Sequence, residues 1–283
     1  MKPRTGDVGH FHETPLVVFT WLAILGGGLA AGRIPLWLLG LVAWTPARIQ
    51  GGFVALSVGA GMLVSLLHLG NRGRMLQALR RGGRSALSTE VAFAGLTTAA
   101  AFGFFIFPAA DRYVHVDSLL WSITAFSGSG LLVAVAWVYL LPGQLSWSPM
   151  AAPSPLILGF VFGMLAYAKS GTIKTAATDL LAVEGSLYVL RWLLLEHTCH
   201  AAAAPVHGRL FRTRRVLLCA RLLLIPLLPL TAISLNACST ALAVLALGIA
   251  VDRFAFYALA LRQTTEAEVA WIEGLIENRG EPR

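Results

Sequence analysis

Two titratable residues, His68 and Glu90, border a basic loop between two long apolar stretches. The segment that contains them is HLGNRGRMLQALRRGGRSALSTE, residues 68–90, and five of its residues are arginines. An imidazole changes its charge near neutral pH, and a carboxylate can exchange protons with water or with a bound group. Together the two side chains predict proton exchange at the border of a membrane.

A quinone headgroup is a substrate that suits this pair. Its two carbonyl oxygens take up a proton with each electron, and its long tail keeps the ring at the membrane border. His68 would be the donor that titrates near neutrality, and Glu90 would pass protons to or from water. Two simpler interpretations stay open. Glu90 could stabilise a helix N-terminus that Ser88 caps, and His68 could be a hydrated interfacial histidine, although ionisable groups at membrane depth are functional candidates.

The composition places both residues in a membrane protein. Of the 283 residues, 57% are hydrophobic and 13% are charged, and the mean hydropathy is +0.71. A globular core of ordinary size cannot bury so much apolar surface. Runs of roughly 20 apolar residues lie between polar breaks; they cover 14–43, 50–70, 89–109, 117–141, 153–170, 174–198, 213–235 and 238–262. The predicted fold is therefore an all-α integral membrane protein, a bundle of about eight transmembrane helices in one domain over 1–283.

Three parts of this layout are less regular. The first run contains GRIP at 32–35, where Arg33 and Pro35 predict a kink, a strong tilt or a short second segment. The sixth run is the most polar. Residues 264–283 form a polar C-terminal tail, in which Thr265 and Glu268 predict the start of a short surface helix.

Several kinds of site are not expected. The three cysteines have no CxxC spacing, so they predict neither a zinc site nor an iron–sulfur cluster, and no metal ligand is assigned. No haem is expected, although His197 and His200 end the sixth run on the side of His68. The net charge of +8 comes from short loop clusters without interleaved aromatic residues. It therefore favours lipid headgroups or an acidic partner over nucleic acid.

The distribution of lysine and arginine predicts the orientation. With eight spans, both termini and the 68–90 loop share one side, and most of the basic residues collect there. The positive-inside rule places that side in the cytoplasm of a bacterium or archaeon, with the protein in the cytoplasmic (inner) membrane. A basic docking surface for a soluble partner would produce the same bias.

The loop resembles the signature loop of the membrane-anchor subunits of dimethyl sulfoxide reductase and its relatives. The residues that match are His68, Leu69, Gly70, Arg74, Ser85, Leu87, Ser88 and Glu90. HETPLVVFT at 12–20 resembles the opening of that family. In the last run, DRFAFYAL is similar to a family pattern of an arginine with aromatic residues, here Arg253, Phe256 and Tyr257.

The resemblance implies an anchor for a molybdopterin catalytic subunit and a four-cluster iron–sulfur subunit, exchanging electrons with a quinone pool such as menaquinol. It assigns quinol binding and proton handling to His68 and Glu90. The candidate quinone site also includes Arg74, Ser88, Arg253 and Tyr257, and the partner-docking residues are Arg72, Arg80, Arg81 and Arg84. Arginine stays charged, so Arg74 and Arg81 would hold the loop or dock the partner rather than relay protons.

Two features depart from the family. Trp137 occupies a place where relatives commonly have an arginine. The predicted cytoplasmic orientation also differs from the periplasm-facing head usual for dimethyl sulfoxide reductase. A cytoplasm-facing relative such as a sulfite dehydrogenase is therefore a second candidate for the complex.

A second polar group lies in the sixth run, where Glu184, Tyr188 and Arg191 share one helical face. A structural ion pair between helices is the favoured interpretation, and a proton path toward the quinone is the alternative. Asp252 beside Arg253 offers the same two possibilities. A stand-alone transporter is the alternative function, with a path lined by Asp179, Glu184, Arg191, Arg221 and Asp252. An intramembrane enzyme is the weakest hypothesis.

Overall fold

The structure, a computed structural model, describes residues 14–66, 86–107, 114–137, 153–168, 171–201 and 216–258. These residues form helices and the turns between them, and no strand occurs in this part of the protein. The helices are α1 (Thr14–Ala31), α2 (Arg33–Leu38), α3 (Arg48–Leu66), α4 (Ala86–Ile106), α5 (Val114–Trp137), α6 (Ser154–Ala166), α7 (Gly171–Ala201), α8 (Val216–Ser234) and α9 (Cys238–Ala258).

Six segments of the described residues are long and apolar enough to cross a membrane. They are Thr14–Leu38, Arg48–Ser65, Ser88–Ile106, His115–Trp137, Val216–Ser234 and Cys238–Tyr257. The other two predicted spans correspond to α6, which has only 13 residues, and to α7, a 31-residue helix with several charged side chains. The all-α membrane class is thus confirmed, and the predicted number of about eight is approximate.

The GRIP motif produces a short second segment. A turn at Gly32 separates α1 from α2, and the first helical stretch ends at Leu38 rather than at residue 43. The backbone turns away at Gly40, whose φ of +69° is in the left-handed region that glycine tolerates best. The run was predicted too long because leucine and tryptophan residues continue the apolar composition beyond the helix end.

Arg33 ties the following non-helical segment back to the bundle. Its guanidinium donates hydrogen bonds to the carbonyl oxygens of Ala43 at 2.8 Å, Trp44 at 2.9 Å and Thr45 at 3.1 Å. The same group lies over the Tyr167 ring, 4.6 Å from its centroid. An arginine at membrane depth is thus satisfied by backbone acceptors and one aromatic face.

We expect Arg33→Met to lower the stability of the folded protein by about 2 kcal/mol, because the three carbonyls lose a charged donor. The measurement is the midpoint of thermal unfolding in detergent. Lys174→Met is the matched control, since Lys174 makes one exposed hydrogen bond, of 2.9 Å, to Asn236. That change should cost no more than about 0.5 kcal/mol. Equal midpoints for the two variants would contradict the anchoring role of Arg33.

Backbone contact between α1 and α6 is the closest helix packing in the described bundle. A Cβ atom on Gly163 would overlap the carbonyl oxygen of Gly28, and a Cβ on Gly28 would lie 2.7 Å from Gly159 Cα. Small residues at such crossings let helices approach where lipid provides no hydrophobic drive for association. α1 also contacts α3, α5 and α9, so it holds the bundle together.

Helix direction defines two ends of the bundle. α3 and α4 run antiparallel, because Gly51 lies against Ala101 and Phe104 while Gly59 lies against Thr98. We call the end at which α3 finishes and α4 begins the loop end, since the 67–85 segment joins these helices there. α9 follows α8 after a short turn, runs antiparallel to it and finishes at the loop end. α7 runs in the same direction as α9, because Lys174 bonds Asn236 just before α9 and Tyr188 bonds Asp252 further along it. Residues near the start of α4 and the end of α9 therefore share one depth.

A wide turn interrupts α8. Leu223–Leu227 is π-helical and contains Pro226, which has no N–H to donate and so disturbs the regular bonding. The turn packs against two glycines, Gly185 of α7 and Gly248 of α9. This packing brings α8 close to both helices just beyond Arg221.

Candidate functional site

Glu90 lies in α4 at the loop end, and only 4% of its surface is exposed. Ser88, on the same helix, is 2% exposed. The helix begins at Ala86, so Ser88 lies inside it and Glu90 lies beyond its first turn. The interpretation of Glu90 as a first-turn carboxylate capped by Ser88 is therefore wrong. Burial of a carboxyl at membrane depth costs free energy, so Glu90 is a candidate for a functional role.

Arg253 supplies the charge that acts on Glu90. It belongs to α9, is 1% exposed, and among the described residues is a cation close enough to act electrostatically on the Glu90 carboxyl. Among the described side chains, Glu90 Oε1 has no hydrogen-bond partner. The structure thus joins two of the predicted site residues, 163 positions apart in the sequence, across the bundle.

Arg253 is held by its neighbours on α9. Its guanidinium donates to Asp252 Oδ2 and lies 5.4 Å from the centroid of the Phe256 ring. Phe256 in turn packs edge-on against Tyr257, with ring centroids 5.0 Å apart. Tyr257 is half-buried at the same end of the helix. The predicted aromatic residues therefore pack beside Arg253.

Asp252 is the centre of a buried charge network that we call the Asp252 cluster: Tyr188, Arg221, Asp252 and Arg253. Tyr188 Oη donates a hydrogen bond of 2.9 Å to Asp252 Oδ1. Arg221 Nε lies 3.0 Å from the same oxygen, and Arg221 Nη2 donates to the Asp252 backbone carbonyl at 3.0 Å. The Asp252 carboxylate thus pairs with the guanidinium groups of both Arg221 and Arg253. The cluster therefore has one excess positive charge next to Glu90.

The Asp252 cluster connects three helices, α7, α8 and α9. The predicted structural role of the polar face on α7 applies to Tyr188, which bonds Asp252. No described residue of a neighbouring helix forms an ion pair with Glu184 or Arg191, so the predicted ion pair between helices is not found at these two residues. The guanidinium of Arg191 lies against the Tyr188 ring, 5.8 Å from its centroid.

Sequence reasoning did not connect Arg221 with Asp252. It assigned Arg221 only to the alternative transporter path. The pair is 31 residues apart, on helices whose approach depends on the π-helical turn around Pro226. The sequence signal for this approach was Pro226 in the seventh run, because a proline disturbs the regular bonding of a helix.

The structure does not describe every predicted site residue. His68 and Arg74 lie outside the described residues, as do the predicted docking arginines Arg72, Arg80, Arg81 and Arg84 and the tail 264–283. Of the residues that the transporter hypothesis requires, Asp179 is exposed on α7, whereas Arg221 and Asp252 bond to each other. Within the described part of the protein, no group of three or more His, Cys, Asp or Glu side chains could hold a metal ion.

Comparison with known proteins identifies the family. Residues 8–147 match the family model described as the DMSO reductase anchor subunit (DmsC). Over 88 residues the sequence is 38% identical to the C subunit of the anaerobic dimethyl sulfoxide reductase of Escherichia coli (strain K12). That match covers 29% of this protein and spans 30% of the relative's length. No solved structure matches the protein. Since the matched region contains the 68–90 loop, this multi-pass membrane protein belongs to the family of DMSO reductase anchor subunits.

Proposed function

We propose that the protein is the membrane anchor of a molybdopterin oxidoreductase complex and exchanges electrons between a quinone pool and an iron–sulfur subunit. The family and the helical membrane fold support the anchor role. The proposed partners are a four-cluster iron–sulfur subunit and a molybdopterin catalytic subunit, and the proposed substrate is a quinol such as menaquinol. Both termini and the 68–90 loop are proposed to face the cytoplasm.

The observation that carries the proposal is Glu90, a buried carboxyl at the loop end with Arg253 as its counter-charge. Its Oε1 has no partner among the described side chains and could accept a hydrogen bond from a ring hydroxyl. Burial of a carboxyl costs free energy, which a bound ring with polar oxygens would offset. These residues therefore fit a quinone headgroup.

In the proposed reaction, the electrons and the protons of the quinol leave the site by different routes. Oxidation of one quinol releases two electrons, which pass to the iron–sulfur subunit, and two protons. Glu90 accepts one proton on its carboxylate and passes it toward water at the loop end. Arg253 cannot relay a proton, so its role is to provide a fixed positive charge that stabilises the ionised form of Glu90. Quinone reduction uses the same steps in reverse.

The other predicted residues complete the proposed site. His68 hydrogen bonds the second oxygen of the ring and titrates near neutral pH. Arg74, Ser88 and Tyr257 shape the site, and the docking arginines Arg72, Arg80, Arg81 and Arg84 contact the iron–sulfur subunit. For the complex, reduction of dimethyl sulfoxide and, in a cytoplasm-facing relative, sulfite oxidation are the candidate reactions.

Purification of the protein from its native membrane, with subunit and metal analysis, tests this proposal. We expect copurifying subunits that contain iron and molybdenum, and a fluorescent quinol analogue that binds the complex. In an assembled His68→Arg complex, analogue binding and quinol turnover should be lost, while the head stays active with artificial electron donors or acceptors. Isolation of the protein alone, or unchanged quinol turnover in that variant, would refute the proposal.

A further inference from the structure

Glu184 is a second buried carboxyl that the proposed quinone site does not use. It lies in α7 and is 0% exposed. Neither of its carboxyl oxygens makes a well-formed hydrogen bond to a described side chain, although the hydroxyls of Ser154, which is 1% exposed, and of Tyr188 lie close enough to act on the carboxyl. Buried polar atoms are normally bonded. A buried carboxyl without such bonds is therefore a candidate for a group that gains and loses a proton.

The groups around Glu184 come from all the helices that pack near it. Ser154 faces it from α6, Asp252 from α9, and Tyr188 and Arg191 from its own helix. From α8, Pro226 packs against the neighbouring Gly185, and the guanidinium of Arg221 lies 5.7 Å from the centroid of the Tyr188 ring.

The hydrogen bonds and ion pairs of the Asp252 cluster favour a change of charge at Glu184 rather than at Asp252. Asp252 is committed to Arg221, Arg253 and Tyr188. Because the Tyr188 hydroxyl donates its proton to Asp252, only the lone pairs of Tyr188 Oη remain for Glu184. A protonated Glu184 can donate to that oxygen, whereas an ionised Glu184 cannot. The cluster therefore provides an acceptor for a proton on Glu184 and keeps Asp252 charged.

We propose that Glu184 is a buried proton-exchange site, separate from Glu90, that binds one proton in the interior of the bundle and releases it toward the loop end. In the loaded state its O–H donates to Tyr188 Oη, and the Ser154 hydroxyl donates to the other carboxyl oxygen. On release, the proton leaves for water on the loop-end side of Glu184, where Tyr188 and Arg191 lie four and seven residues further along the helix. Neither side chain takes up this proton, because arginine stays charged and the Tyr188 hydroxyl donates its own proton to Asp252. Arg191 then balances the negative charge.

A second proton site suits the reaction, since each quinol yields two protons and Glu90 accepts one. This role in turnover rests on the function proposed above, whereas proton binding by Glu184 does not.

Infrared difference spectroscopy of the purified full-length protein during a pH change, without quinol, tests the site. We expect a protonated-carboxyl band that disappears in Glu184→Gln and remains in Asp179→Asn, a matched change at an exposed carboxylate of the same helix. The band should also remain in Glu90→Gln. A Glu184→Gln spectrum identical to that of the parent protein would overturn the proposal.

Tyr188→Phe provides a second variant that keeps Glu184 in place. Loss of the acceptor should weaken the hydrogen bond of the protonated acid and shift its carboxyl band to higher frequency. An unshifted band in folded Tyr188→Phe would overturn the proposed bonding.

The pH profile of quinol turnover tests the role in catalysis. We expect assembled Glu184→Gln to shift that profile by about one pH unit, with unchanged head activity toward artificial donors or acceptors. An unshifted profile would overturn the catalytic role of Glu184. A parent protein that does not oxidise quinol would refute the proposed function instead, and the infrared bands would still decide whether Glu184 binds a proton.

Discussion

Replacement of Glu90 by glutamine is expected to lower quinol-linked turnover by about 100-fold or more while the complex stays assembled. Glutamine keeps the size and hydrogen-bonding capacity of the side chain but cannot accept a proton at this position. The excess positive charge of the Asp252 cluster is then no longer balanced by a carboxylate at position 90. The measurement is the steady-state rate with a quinol analogue, compared with the rate of the head with an artificial donor or acceptor in the same preparation.

Asp117→Asn is the control for this experiment. Asp117 is a carboxylate on α5 that pairs with Arg48 near the start of α3, at the opposite end of the bundle. Its replacement removes one negative charge from the membrane protein at a site far from the loop end, so we expect turnover within about twofold of the parent, because distant sites act independently. An assembled Glu90→Gln complex with the turnover of Asp117→Asn would exclude Glu90 from proton transfer.

The second large effect is expected at the crossing of α1 and α6. Gly163→Ala places a Cβ atom in overlap with the carbonyl oxygen of Gly28 and 2.9 Å from Gly32 Cα. Both contacts are with backbone, so no side chain can move aside and the helices must separate. We expect a loss of about 3 kcal/mol or more in stability and a strongly reduced amount of folded protein in the membrane.

Gly95→Ala is the same substitution in a permissive place on α4. Its nearest heavy atom to a new Cβ is Met62 Cε at 4.0 Å, an ordinary contact. Because alanine favours the helix over glycine by about 0.5–1 kcal/mol, this variant should be as stable as the parent or slightly more stable. Thermal unfolding of both proteins in detergent provides the comparison. Similar midpoints for the two variants would show that α1 and α6 are not in backbone contact.

The helix crossing also bears on the chemistry of the site. α1 begins at the loop end, and the indole N–H of Trp21 in its second turn donates to the carbonyl of Ala246 near the middle of α9 at 2.9 Å. α6 begins with Ser154, which faces Glu184. Separation of α1 from α6 would therefore move Ser154 relative to the Asp252 cluster. We therefore expect the proton exchange proposed for Glu184 to require the close glycine packing between α1 and α6.

Some elements were predictable from local signals alone. Glu90 and Arg253 were identified because each lies in a recognisable motif, and both are buried at the loop end. The helical class followed from long apolar runs, since backbone groups in lipid must bond within their own segment. Helix ends were less predictable: Leu38 ends its helix inside an apolar run, because a turn at Gly40 and the hydrogen bonds of Arg33, not polarity, stop it.

Composition and periodicity therefore determined that this is a helical membrane protein, and its motifs determined the family and the carboxyl at the loop end. Only the tertiary structure decided that Asp252 pairs with Arg221 and Tyr188, that Arg253 acts on Glu90, and that Glu184 is left uncommitted. The physical reason is that membrane burial can be inferred from each segment by itself. The partner of a buried charge depends instead on how separate helices cross, which here depends on glycine contacts and on the wide turn at Pro226.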